Sequence, residues 1–313
     1  MLNQIKVSAP GSVMLMGEHA VVKGHWAIAC AVDKYIEVIL TPRSDKLINI
    51  DSQICQYSSH LDKLQSEQKL SFVLAAIEQQ RIQLVSGFDL KISAQFSHRL
   101  GLGSSAAVTV ATVKALAQYA NITLTKEQHL KKSLAVIHSV QGRGSGTDLA
   151  ASIYGGIIAY QVEPCQVIVL EGVPTLCLYY AGYKTRTPDV LSIVAAKEAQ
   201  HPAIYNALYT TMNMITLAAI ESIRHRQWAQ LAELMNIYQG QLDSLGVNDA
   251  CLSDIIYQLR NNKSLVLGAK ISGSGLGDCV ICLGESQPVE GYQQIKFNLS
   301  TRGVLCCESK SNQ

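Results

Sequence analysis

The run Leu100-Gly101-Leu102-Gly103-Ser104-Ser105-Ala106-Ala107, preceded by Arg99, joins two glycines to two hydroxyls and then to an alanine-rich stretch of helical spacing. Glycines let a backbone turn with its N–H groups pointing inward, and a helix opening at Ser104 or Ser105 adds the positive end of its dipole. Such a cradle holds an anion without a basic side chain. It makes Gly101, Leu102, Gly103, Ser104, Ser105 and Ala106 the expected contacts of a nucleotide phosphate, with the Ser105 hydroxyl as a magnesium ligand. Capping serines after an ordinary tight turn would read the same way, because serine is a favoured N-cap.

A second glycine-rich turn, Gln141-Gly142-Arg143-Gly144-Ser145-Gly146-Thr147-Asp148, sets a carboxylate just before Leu149-Ala150-Ala151. A carboxylate beside a substrate hydroxyl can accept its proton as the oxygen attacks a phosphoryl group. Taken alone, Asp148 could equally cap the helix that follows. A Walker A loop is excluded, since no lysine lies between Arg99 and Lys114. Gly101-x-Gly103-x-x-Ala106 fits a relaxed dinucleotide fingerprint, but the acidic residue that should hold the ribose is poorly matched by Asn121 and Glu127.

The elements that must position these groups follow from periodicity. Residues 4–8, 26–32, 34–41 and 46–50 read as strands, 70–80 as a helix, and 88–92 as a strand leading into the phosphate loop. Helices are expected at 105–119 and 126–140, then strands at 157–160, 167–170 and 176–181. After Pro188 the texture turns to long helices, 189–199, 203–226, 228–242 and 249–260, followed by strands at 265–272, 278–283, 293–297 and 303–307. Grouped strands and grouped helices, without strict alternation, predict an α+β fold. A boundary near 174–186 divides the chain into 1–180 and 181–313, and the tail after Glu308 reads as disordered.

Composition removes other classes. A formal charge of +2 with no Lys/Arg run carries no nucleic-acid footprint, and no apolar stretch approaches the roughly 20 residues of a membrane span. The start lacks a signal-peptide core, and nine cysteines scattered among apolar neighbours suit reduced thiols, so a cytoplasmic protein is expected. Cys279-Val280-Ile281-Cys282 has metal-like spacing without a second pair and reads as a buried strand.

Two more segments complete a pattern. Ser8-Ala9-Pro10-Gly11-Ser12, running on to Gly17-Glu18-His19-Ala20-Val21-Val22, precedes the phosphate loop, and Lys270-Ile271-Ser272-Gly273-Ser274-Gly275-Leu276-Gly277-Asp278-Cys279 comes late in the chain. With the glycine–serine run between them, they resemble the GHMP kinase superfamily in motif order and spacing over almost the whole chain. Gly17 to Val22 and Pro42-Arg43-Ser44-Asp45 look most like the mevalonate kinases; Gln141-Gly142 and Asp278-Cys279 look more like the phosphomevalonate kinases.

The resemblance implies a two-domain α+β fold, a ribosomal protein S5 domain 2-like N-terminal domain and a ferredoxin-like C-terminal domain, with the site in the cleft between them. It implies ATP and Mg2+ as cofactors, a small-molecule alcohol as substrate, no nucleic-acid or membrane partner, and leaves a homodimer open. It makes Asp148 the catalytic aspartate, and Glu18, His19, Gly146, Thr185, Gly273, Ser274 and Gly275 substrate contacts. Two positions depart from it. The family lysine is replaced by Ser12, leaving Lys184 or Arg186 to supply a cation, and the family's magnesium-binding glutamate is replaced by Ile137, next to a His138 expected to be packed. Those departures keep a nucleotide or metabolite sensor as the non-enzyme alternative.

Overall fold

The computed structural model describes residues 4–97, 100–172, 174–261 and 265–309. Arg99 and the tail from residue 310 lie outside the described residues. The chain runs β1 (Gln4–Met16), β2 (Ala27–Pro42), β3 (Leu47–Ser52), β4 (Gln56–His60), α1 (Ser71–Gln80), β5 (Phe88–Ala94), α2 (Ser104–Tyr119), α3 (Lys126–Gln141), α4 (Thr147–Tyr154), β6 (Ile157–Gln161) and β7 (Gln166–Leu170). It continues as β8 (Leu176–Lys184), α5 (Thr187–Gln200), α6 (Pro202–Arg224), α7 (Trp228–Leu245), α8 (Ala250–Asn261), β9 (Val266–Ser272), β10 (Gly277–Gly284), β11 (Gln293–Ile295) and β12 (Leu305–Ser309).

Among the described residues, one sheet runs β12-β1-β2-β5-β3-β4, with β6 pairing β2 and β7; the other runs β11-β8-β10-β9. The strands expected at 26–32 and 34–41 are one continuous β2, and β1 extends past its expected end through the Ser8–Ser12 segment. The register of β1 on β2 slips between Pro10 and Gly11, so a bulge absorbs the proline and glycine that read as punctuation. β8 straddles the expected division at 180/181 and pairs with β10 and β11, while β12 returns to β1.

Helix α2 packs on β1 and β2, and ten of its residues, from Ala106 to Ala117, are buried. Its alanines and threonines let it lie close to the sheet, as a helix apolar on most faces must. Helices α7 and α8 cover β9, and α6 packs on α7. The start of α2, the start of α4, the end of β8 and the β9–β10 turn line one cleft. No helix of the described residues is long and apolar enough to cross a membrane.

Candidate active site

Helix α2 begins with Gly103 at its N-cap in the left-handed region (φ 61°), not with a serine cap. Ser104 and Ser105 are its first helical residues. Ala107 N–H bonds back to the Gly103 carbonyl at 2.9 Å, so the amides before it have no partner within the helix. The loop lies against acidic groups. A Cβ on Gly101 (φ 62°) would fall 2.0 Å from Asp278 Oδ1, and one on Gly103 would fall 2.2 Å from Ser12 Oγ and 3.5 Å from Asp148 Oδ1.

Asp148 sits in the first turn of α4, whose N-cap is Gly146, so capping is not its role. Its Oδ1 accepts a 2.8 Å hydrogen bond from Ser12 Oγ, reaching across 136 positions. Burial holds Asp148 above the usual carboxylate range and the Asp278 and Glu18 charges add to that, while the Ser12 bond and the Lys184 charge pull the other way. Lys184 Nζ lies 3.0 Å from Asp278 Oδ2. Burial opposes its charge, but Asp278 and Asp148 outweigh burial and keep the ammonium above its ordinary value.

Asp278 itself holds a positive φ of 72° after Gly277, and its Oδ1 is buried without a partner. A non-glycine residue in that conformation is strained, and such strain persists only where the surroundings impose it. Here they do: the carboxylate is wedged between the Gly101 loop and Lys184.

These groups line a cleft of about 170 Å³ together with Glu18, His19, Gly273 and Ser274. Glu18 and His19 are buried, not a surface pair. His19 Nε2 lies 2.9 Å from the Ser274 carbonyl, and burial lowers its pKa against that bond and the Glu18 charge. Four expected site residues instead support the wall. Ala106 is buried inside α2, Gly146 turns the chain into α4, Thr185 Oγ1 donates to the Leu276 carbonyl at 2.6 Å, and Gly275 backs onto Val247.

Three further cations pair away from the cleft, and Arg186 does not line it. Lys6 pairs with Glu37, Lys23 with Glu198, and Arg143 with the Pro188 carbonyl and Ser192; Arg186 is exposed at the N-cap of α5. Ile137 is buried, and His138, expected to be packed, is exposed with Nε2 2.9 Å from the Gly144 carbonyl. Cys279 and Cys282 are core residues of β10.

Residues 70–156 match the GHMP kinases N terminal domain and residues 219–300 match the GHMP kinases C terminal domain. A mevalonate kinase of Thermococcus sibiricus is 31% identical over 313 residues, spanning 94% of this chain and 93% of the relative. The chain belongs to the GHMP kinase family. A mevalonate kinase of Methanothermobacter thermautotrophicus is 32% identical over 306 residues, covering 95% of this chain and 98% of its own. A crystal structure of a Listeria innocua protein shares the fold, with a TM-score of 0.87 at 24% identity over 98% of this chain and all of that one. The protein is thus a GHMP kinase of the two-domain fold, phosphorylating an alcohol.

Several features of this kinase's site carry no local signal in the chain. Asp278 closes a family-like glycine-rich motif in the sequence, and in the structure its carboxylate holds Lys184. Lys270 reads as a strand residue and is a buried ammonium. A neighbouring cavity of about 810 Å³ shares Ser104, Ser105 and Lys184 with the cleft, and Ile36, Leu70, Val73, Ile92, Phe96 and Val108 form its apolar walls. No contiguous motif encodes that cavity, because its apolar walls come from β2, α1, β5, α2 and the segments before α1 and after β5.

Gly101 allows a direct test. Gly101→Ala is expected to lower kcat at least about tenfold, since its methyl group would push Asp278 from Lys184 and displacements near 1 Å at a site cost that much. Steady-state kinetics with a thermal melt check it; native kcat would separate the loop's contact with Asp278 from the site.

Proposed function

We propose that this kinase transfers the γ-phosphoryl group of ATP to the primary hydroxyl of mevalonate, giving 5-phosphomevalonate and ADP. The observation that carries the reading is the grouping of Asp148, Ser12, Lys184 and the start of α2 around one cleft. Asp148 accepts the hydroxyl proton, the freed oxygen pair bonds to the γ-phosphorus, and the bond from that phosphorus to the β-bridging oxygen breaks, its electrons leaving with ADP. Ser12 fixes the Asp148 oxygen that it touches. Lys184, from the end of β8, supplies the charge that the family lysine would bring at position 12. The α2 amides and the Ser104 and Ser105 hydroxyls face the phosphates, and the apolar 810 Å³ cavity suits the nucleoside end of ATP.

The donor set fits magnesium. Ser104 and Ser105 present hydroxyl ligands in the cleft, and a magnesium ion keeps several waters and relies on substrate phosphates for the rest. These residues would hold it, and it would supply charge neutralisation on the phosphates. Ile137 contributes no ligand.

Mevalonate is favoured over an already phosphorylated acceptor by the cations. Lys184 is the lysine facing the cleft among the described residues, and it is committed to Asp278 and Asp148. The names of the relatives support the same substrate. All nine cysteines are free thiols, which suits the cytoplasm. An ADP-release assay against mevalonate, phosphomevalonate, homoserine and galactose is expected to show turnover with mevalonate alone. Turnover with phosphomevalonate instead would reassign the substrate. Thermal protection by ATP with no ADP release from any alcohol would make the protein a sensor.

A further inference from the structure

Glu18 reaches the acceptor cleft from an unusual footing. Its Oε1 takes a 2.6 Å hydrogen bond from Lys270 Nζ, 252 positions away. The lysine is 0% exposed and the glutamate 2%. Lys270 Nζ also donates to the Ile271 carbonyl and lies 5.5 Å from the centre of the Tyr238 ring. Tyr238 Oη in turn donates to the Glu18 carbonyl at 2.9 Å, and Ser272 Oγ donates to the Met14 carbonyl at 2.8 Å. The end of β1 and the turn after it are thereby fixed against β9 and α7. Glu18 Oε2, in contrast, is buried without any partner.

A buried ion pair is poor value as a stabiliser, because desolvating both charges offsets most of their attraction. An unpartnered carboxylate oxygen beside it costs more again. Both costs make sense if that oxygen meets a donor in the loaded enzyme. We propose that Lys270 is a positioning residue for the acceptor, holding Glu18 by one oxygen so that the other receives a hydroxyl of the alcohol. This rests on the alcohol-kinase reading. It extends the site to a residue that lies behind the cleft wall, since Lys270 acts through Glu18.

Lys270→Met is expected to raise the acceptor KM at least about tenfold, the scale of a lost hydrogen bond to a charged group, with the ATP KM unchanged and kcat less affected. The double variant Glu18→Gln/Lys270→Met removes both charges and should fold; its acceptor KM is expected to match that of Lys270→Met. Thermal unfolding between pH 5 and 8 gives a readout without turnover. The groups facing Glu18 are Lys270 and Tyr238 from the second unit and His19 and Asp148 from the first. Without Lys270 the buried carboxyl prefers its proton, so the Lys270→Met midpoint should fall more steeply with rising pH than that of wild type or the double variant. A native acceptor KM in either variant, or parallel pH profiles in all three proteins, overturns the proposal. Wild-type protein that phosphorylates no alcohol overturns the kinase reading instead, and the unfolding profiles still decide whether Lys270 holds Glu18 ionised.

Discussion

Asp148→Asn is expected to lower kcat by about 10²-fold or more, the range for loss of a positioned general base, while ATP still protects the protein against unfolding. The amide keeps the shape and can still take the Ser12 hydrogen bond, so the loss isolates proton acceptance from packing. The pH profile gives a second check. Asp148 must be ionised to act, so activity falls as pH drops through its pKa. Burial holds that pKa above the usual carboxylate range, and the acid limb of kcat/KM should sit correspondingly high. Asparagine should abolish the limb together with the rate. A variant with near-native kcat would remove Asp148 from the reaction.

Lys184→Met carries the second large effect, a fall in kcat of about 10²-fold, the scale for removing one group that stabilises developing charge. The acceptor KM should change less, because the charge matters most as the alkoxide forms. Removing the cation also leaves Asp148 beside Asp278 with less compensation, so the acid limb should move to higher pH. Ser12→Ala should cost less than either change, as it removes one hydrogen bond to Asp148 and no charge. The double variant Ser12→Ala/Lys184→Met should deviate from additivity, since both residues act on one carboxylate. If Lys184→Met leaves both kcat and the acid limb in place, the cation that replaces the family lysine does not come from β8.

Much of this architecture is legible in the chain. The glycine–serine run gives a tight turn entering α2, since left-handed φ values at Gly101 and Gly103 and the alanine-rich stretch behind them are local properties. The long helices after Pro188 and the grouped strands followed from periodicity for the same reason. The boundaries of β1 and β2 did not, because a bulge against a neighbouring strand absorbed Pro10-Gly11, and that neighbour is supplied by the sheet.

The site's chemistry was only half legible. Asp148 and the phosphate loop stood out as contiguous motifs, but their relation to Ser12, Lys184 and Asp278 depends on how the two sheets dock. Lys270 sits in an alternating apolar strand, where nothing adjacent in the chain marks it as one half of a buried ion pair. His138 likewise reads as a packed helix residue until the Gly144 turn folds back to meet it. Sequence by itself determined the family, the local turns and the residues able to bear charge. The tertiary structure decided which charges meet, because electrostatic partnership depends on distance and burial, and both are set by contacts between segments more than a hundred residues apart.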